Sequence, residues 1–398
     1  MKTRIARVVQ VLLGICAIPI LALAWILRPV VRIRLCLVGA QRFGHLALEP
    51  EMWLASNRER RRPPFVFDIW SLGSRRVQSN TFLADLWSQR LRPRPSWLVA
   101  ALVRAGEWLP RLAMERAPLS IHGPSNALDR SPQQCPSPGP FSDRERRSLL
   151  EHGFDVDKPF AAIVVRDPAY YTARGEQEGS DTSLLNGDLL DFIPACRYLA
   201  GVGVQVVRLG GPSQQRLPQI PGCFDYANSV IRSAELDVKL PMSCRFAIST
   251  QTGPDALVLL ARRPVLYLNM LRFSQFFFGT ELATWAPMRF VNKSDHRSAG
   301  LGDIGRSRLF AAKNPSEFAD SHFDFVRASA DEVAVCVADF LDELENGVDP
   351  QVITVRKEVN HLLQQHMAPW AQERFGDIRA KVSRRWLLDN ESWWLASK

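Results

Sequence analysis

Lysine is scarce in this sequence, at eight of the fifty basic residues, and cysteine is sparse and scattered. The seven cysteines (Cys16, Cys36, Cys135, Cys196, Cys223, Cys244, Cys336) are odd in number and form no CxxC pair and no Cys/His group with metal-ligand spacing. That argues against a disulfide-built scaffold and a structural zinc site, and it predicts a reducing compartment. Most of these thiols sit in apolar stretches, where cysteine behaves as a small hydrophobe. Zinc-finger spacing, RNP-like runs and basic repeats are also missing, so nucleic acid is not an expected partner. The formal charge of +9 is spread along the chain and carried mostly by arginine, whose planar fork suits phosphate and carboxylate. A phosphorylated ligand or an anionic membrane surface fits that excess.

With 46% hydrophobic and 23% charged residues over 398 positions, the chain reads as globular and long enough for two domains. From Val8 to Leu27 it runs with Gln10 as the only clearly polar side chain, about the length a membrane-spanning helix needs. Lys2, Arg4 and Arg7 precede this run and Arg28, Arg32 and Arg34 follow it, so charge sets no orientation. Ala22-Leu23-Ala24 is similar to a signal-peptide cleavage site, whereas a strand expected only a few residues later favours an uncleaved anchor over 1–28. The anchor spans the bilayer or lies in one leaflet. The expected setting is membrane-associated, with cytoplasmic catalytic domains.

Strand pattern over Val31–Val38 and Phe65–Leu72 flanks a helix from His45 to Arg58, and helical pattern follows from Thr81 to Met114, broken at Pro93, Pro95 and Pro110. These elements predict an N-terminal domain over 29–116. Six prolines and little periodicity between Ala117 and Pro140 predict a linker over 117–140. Ser142 and Glu145 then form a capping-box signature. Beyond it come strand (Phe160–Val165), helix (Leu189–Ala200), strand (Val204–Leu209), helix (Asn228–Leu240), strand (Phe246–Thr250), helix (Pro254–Arg262) and a strand from Pro264. This alternation predicts a doubly wound parallel α/β domain over 141–347, followed by C-terminal helices over 348–398.

In such a sheet ligands lie beyond the carboxyl ends of the strands. Those ends carry Arg166 and Asp167, Arg208 and Gly210, the turn Ser249, Thr250, Gln251, Thr252 and Gly253, and Asn269. Small hydroxyls and a glycine ahead of a helix leave backbone N–H groups for an anion, and Asp255 and Gln251 are further contacts. Tyr226 and Arg232 are expected near the same edge, to stack on a base and to meet phosphate. Asp155-Val156-Asp157 has a metal-binding DxD pattern but precedes its strand, so it is read as solvated loop. The run Phe273–Phe278 is either a lipid- or acceptor-facing loop or a core segment.

The Gly253-to-Pro264 spacing resembles the donor-nucleotide half of GT-B glycosyltransferases, including heptosyltransferase-like enzymes. More broadly, RPVVRIRL, RFGHLALEPEMWL, VRDPAYY, LLDFIPACRYLAGVGVQVVRLG, DYANSVIRSAELD and CRFAISTQTGPDALVLLARRPVLYLN resemble a family of GT-B-like glycosyltransferases of bacterial surface-polysaccharide loci. The resemblance implies two Rossmann-like domains facing a cleft, a nucleotide-sugar donor, a glycan or lipid-linked acceptor, and no metal or other cofactor. In the heptosyltransferase-like enzymes an aspartate base follows the first turn glycine; here that slot after Gly44 holds His45, with Glu49 and Glu51 as alternative bases. This chain departs from their donor turn at Gln251 and Ala256. Epimerisation of a nucleotide sugar on the same fold, or a non-catalytic membrane-bound scaffold, are the competing expectations.

Overall fold

Apolar runs separated by glycine- and proline-rich turns fold into two parallel sheets, one in each of two units. The computed structural model describes residues 2–59, 65–121, 125–169, 184–211, 213–367 and 377–395, with side chains from Val8 onward and excepting 57–59, 315 and 395.

The first unit comprises residues 1–123 and 131–138. Strand β1 (Arg32–Leu37) pairs in parallel with β2 (Val66–Ser71) and, on its other side, with β3 (Glu115–Arg116). Helix α2 (Phe43–Glu59) is the crossover between β1 and β2 and buries Leu46, Ala47, Leu48, Met52 and Ala55. The long helical pattern divides at Pro93 into α3 (Thr81–Leu91), capped by the Asn80 side chain, and α4 (Ser96–Trp108). Helix α1 (Lys2–Ile26) packs Ala17 and Leu21 against Ala101, Leu102 and Ala105 of α4 and against Leu35 of β1.

The second unit comprises residues 124–130 and 139–398. Its strands are β4 (Phe160–Val164), β5 (Gln205–Arg208), β6 (Cys223–Phe224), β7 (Phe246–Ser249), β8 (Val265–Met270), β9 (Ala283–Pro287) and, after an antiparallel pair β10 (Arg289–Asn292) and β11 (Phe323–Val326), β12 (Lys381–Val382). Seven of them form one parallel sheet in the order β12-β9-β8-β7-β4-β5-β6. Strands β4, β5, β7, β8 and β9 are buried at every position, as a parallel sheet covered on both faces requires.

Two expectations change here and one open alternative is decided. The proline-rich stretch is no free linker, because Pro124–Arg130 belongs to the second unit and Ser131–Pro138 to the first. In the second unit Ser125 Oγ accepts from the Gly279 N–H at 2.9 Å. In the first, the buried Glu51 carboxylate accepts from the backbone N–H groups of Gln134 and Cys135. Backbone polar groups met by buried side chains hold this stretch, and hydrophobic periodicity does not register such contacts. The C-terminal helices likewise belong to the second unit: Arg356 of the helix Pro350–His366 is buried, donates to the Val382 carbonyl at 2.7 Å and pairs with Glu343. Finally, Phe273, Phe276 and Phe278 are interior and pack around Trp285, so this run faces core, neither lipid nor acceptor.

Candidate functional site

Read from β6, strands β4 to β9 follow the doubly wound order 3-2-1-4-5-6. The order reverses between β4 and β7, and connections leaving such a pair in opposite directions open a crevice beyond its carboxyl ends. The chain builds that point tightly. The Arg166 N–H donates to Thr250 Oγ1 at 2.9 Å, the Thr250 N–H to the Val164 carbonyl at 3.1 Å, and the Gly187 N–H to the Arg166 carbonyl at 3.0 Å. A Cβ at Gly187 would lie 2.6 Å from Val165 Cγ1 and 3.3 Å from Thr250 Cγ2, so only glycine lets the backbone pass so close. Sequence reading missed Gly187; its signal was the Asn186-Gly187 turn dipeptide. Arg166 is half-buried at this edge, and Tyr170 to Ser183, which follow it, lie outside the described residues.

The turn after β7 is braced by protein. Gln251 takes a left-handed φ of 57°, and its side-chain amide donates to the Arg272 carbonyl at 3.3 Å and accepts from the Arg272 N–H at 3.4 Å. Buried Asp255 accepts from Ser249 Oγ at 2.6 Å and from the Thr252 N–H at 2.9 Å. Two corrections follow. The helix after the turn is only Asp255–Leu260, and Asp255 already takes the Thr252 amide expected for a phosphate. Asp255 itself ties the turn together. Gly253, by contrast, is exposed, and Thr250 sits at the switch point.

Arg208 is the larger correction. It is 2% exposed, donates to the Gln215 carbonyl at 2.5 Å and to Ser213 Oγ at 2.6 Å, and lies 3.6 Å from Asp225 and 4.0 Å from Asp167. Burial lowers the Arg208 pKa against the pull of those two carboxylates. Burial also opposes the Asp167 charge, yet hydrogen bonds from Ser213 and from the Ala169 and Gln215 amides hold its pKa below the ordinary carboxylate value. Arg208 and Asp167 thus pin the chain after β5, which leaves through Gly210 at φ +131°, to the end of β4. Tyr226 is fully buried with its hydroxyl 3.0 Å from Asp237, and Arg232 pairs with the same carboxylate at 3.2 Å. The ring is therefore enclosed by protein, and this arginine is spent in part on Asp237.

In the first unit β1 ends in a turn that delivers α2. Residues His45 and Glu49, four apart on one helix face, form a dyad: His45 Nδ1 lies 2.8 Å from Glu49 Oε1, while Glu49 Oε2 accepts from the Gly39 N–H at 2.7 Å. A Cβ on Gly39 would sit 3.3 Å from the imidazole, so this glycine lets the ring lie against the turn. A carboxylate only accepts, so Nδ1 carries a proton in this contact. His45 is about 30% exposed and Glu49 buried. Glu51, fully buried on Gln134 and Cys135, is removed as an alternative base. Among the described residues no group of three or more metal-ligating side chains occurs.

No family model matches the chain, and no curated protein matches it. Among solved structures it is similar to the ADP-heptose heptosyltransferase II of E. coli at 12% identity and a TM-score of 0.32, over 59% of this chain and 84% of that one. A glycosyl transferase family 9 protein of Veillonella parvula matches at 10% identity and 0.35, over 60% and 80%. The dodecameric iron-containing heptosyltransferase TibC of E. coli, solved with ADP-D-β-D-heptose, matches at 13% and 0.36, over 79% and 76%. Likeness at this level assigns no residue, and the geometry described above stands on this chain's own atoms.

Proposed function

We propose that the protein is a glycosyltransferase that moves a sugar from a nucleotide-sugar donor to a glycan or lipid-linked acceptor in bacterial surface-polysaccharide synthesis, on the cytoplasmic side of the membrane. The observation that carries this reading is the switch point between β4 and β7, where Arg166, Thr250 and the close-passing Gly187 border the crevice in which doubly wound sheets take nucleotides. Arg166 supplies the charge for the diphosphate, in a site that needs no metal if arginine neutralises the leaving group. The His45–Glu49 dyad supplies the base: Glu49 fixes the tautomer, and Nε2 takes the proton of an acceptor hydroxyl as it attacks the anomeric carbon. A buried carboxylate spent on orienting a partly exposed imidazole also speaks against a non-catalytic scaffold.

Thermal-shift titration of the full chain with UDP, GDP, CMP, ADP, dTDP and their common sugars tests the donor half. One nucleotide class should stabilise, by about 2.7 kcal/mol at a hundred times its Kd, and Thr250→Val should weaken that response. His45→Ala should keep the nucleotide response and lose transfer by at least about a hundredfold. Silence toward every nucleotide would return the scaffold reading to the front.

A further inference from the structure

We propose that α1 is an in-plane anchor that seats its free apolar face in one leaflet of an anionic bilayer and does not cross it. One stripe of the helix is sealed by protein. Gly14, Ala17 and Leu21 are buried, and a Cβ at Gly14 would lie 2.7 Å from the Trp108 ring of α4. Ala17 and Leu21 join Leu35 of β1 in one core cluster. Next to Leu35, Arg34 pairs with Asp68 at 2.7 Å.

Ala17 stands at the middle of the apolar run Val8–Ile26, and Leu21 one turn beyond it. A crossing helix would put that midpoint at the bilayer centre. With it would go a three-stranded sheet, whose edge strands β2 and β3 pair with no further strand among the described residues, and the part-buried Arg34–Asp68 ion pair, and hydrocarbon tolerates neither. Lying along the surface costs nothing of the kind. The opposite stripe is free and apolar: Leu12, Ile15, Leu23 and Ile26 are 51–64% exposed. Trp25 and Trp108, both partly exposed, offer the amphipathic rings that settle at headgroup depth. Arg28 and Arg111 are exposed at the helix ends they follow, and the net charge of +9 favours anionic headgroups. The seam with α4 and β1 also makes α1 part of the unit's core, which a removable leader would not be.

The inference rests on α1 alone and stands apart from the reading of the crevice. The full chain, with one epitope ahead of Met1 and another after Lys398, is bound to vesicles of phosphatidylcholine with phosphatidylglycerol and treated with protease from outside. Both epitopes should be cleaved, and brominated lipid should quench tryptophan fluorescence. Leu12→Glu with Ile15→Glu should release the protein by at least tenfold while leaving its circular dichroism and Tm unchanged. A protected N-terminal epitope beside a cleaved C-terminal one would mean a crossing helix and overturn the proposal. So would a wild-type chain that ignores vesicles, including one that is a soluble dimer joined through this face. Equal binding to pure phosphatidylcholine would overturn the anionic preference.

Discussion

Arg208 shows how far residue type alone can mislead about role. An arginine at the end of a parallel strand invites a phosphate, yet here it neutralises Asp167 and Asp225 inside the protein. Arg208→Met should therefore destabilise by about 3–5 kcal/mol, because two carboxylates lose their buried partner, and urea unfolding would measure it. A loss below about 1 kcal/mol would contradict the buried-network role. Asp255 gives a pH prediction. Burial pushes its carboxyl up to about 7, with the hydrogen bonds from Ser249 and Thr252 pulling the other way. The folded chain then holds a proton that the unfolded chain releases near the usual aspartate value of about 4. Across roughly pH 4 to 7 this group's contribution to stability falls as pH rises, and above that window it is constant. Asp255→Asn should flatten the Tm profile in that window; parallel profiles for variant and wild type would exclude the carboxyl as the source.

At the scale of elements, the capping boxes behaved as sequence chemistry dictates. Ser142 with Glu145 and Ser329 with Glu332 open the helices Asp143–Glu151 and Ala330–Asn346 with both reciprocal bonds in place. The expected helix over Asn228–Leu240 fared otherwise. It is a single tight turn at Tyr226–Asn228 and then a helix from Leu236 to Ser243, because Tyr226 and Asp237 close the intervening loop across their hydrogen bond. Strands β6 and β12 are two residues long and leave no alternation to read. For α1, the packing predicts that Leu21→Ala costs about 2–5 kcal/mol in detergent-solubilised protein. An unaffected Tm would mean that α1 is not part of the first unit's core.

For the whole molecule, the C-terminal segment decides what can be cut away. With β12 paired to β9 and Arg356 buried against Val382, a chain ending at Gly347 should fail to give a cooperative unfolding transition. A sharp calorimetric transition from that shortened chain would refute this. Likewise, removing the first 27 residues should lower stability, since Ala101, Leu102, Ala105 and Leu35 would lose their cover.

By itself the sequence determined the α/β class, most strands of the large sheet and the apolar N-terminal helix, because each follows from local periodicity and caps; it offered Glu49 only as an alternative base to His45, and the structure made the two a pair. Tertiary structure decided which strand-end groups are committed to partners inside the protein. Asp167 met Ser213 from a segment far along the chain, whereas Arg208, Tyr226, Arg232 and Asp255 found partners within the same loops, in a loop closure that periodicity does not register. It also decided that Gly187 lies at the switch point and that α1 leans on α4. Those facts depend on contacts between segments tens of residues apart, and periodicity carries no information about which segments will meet.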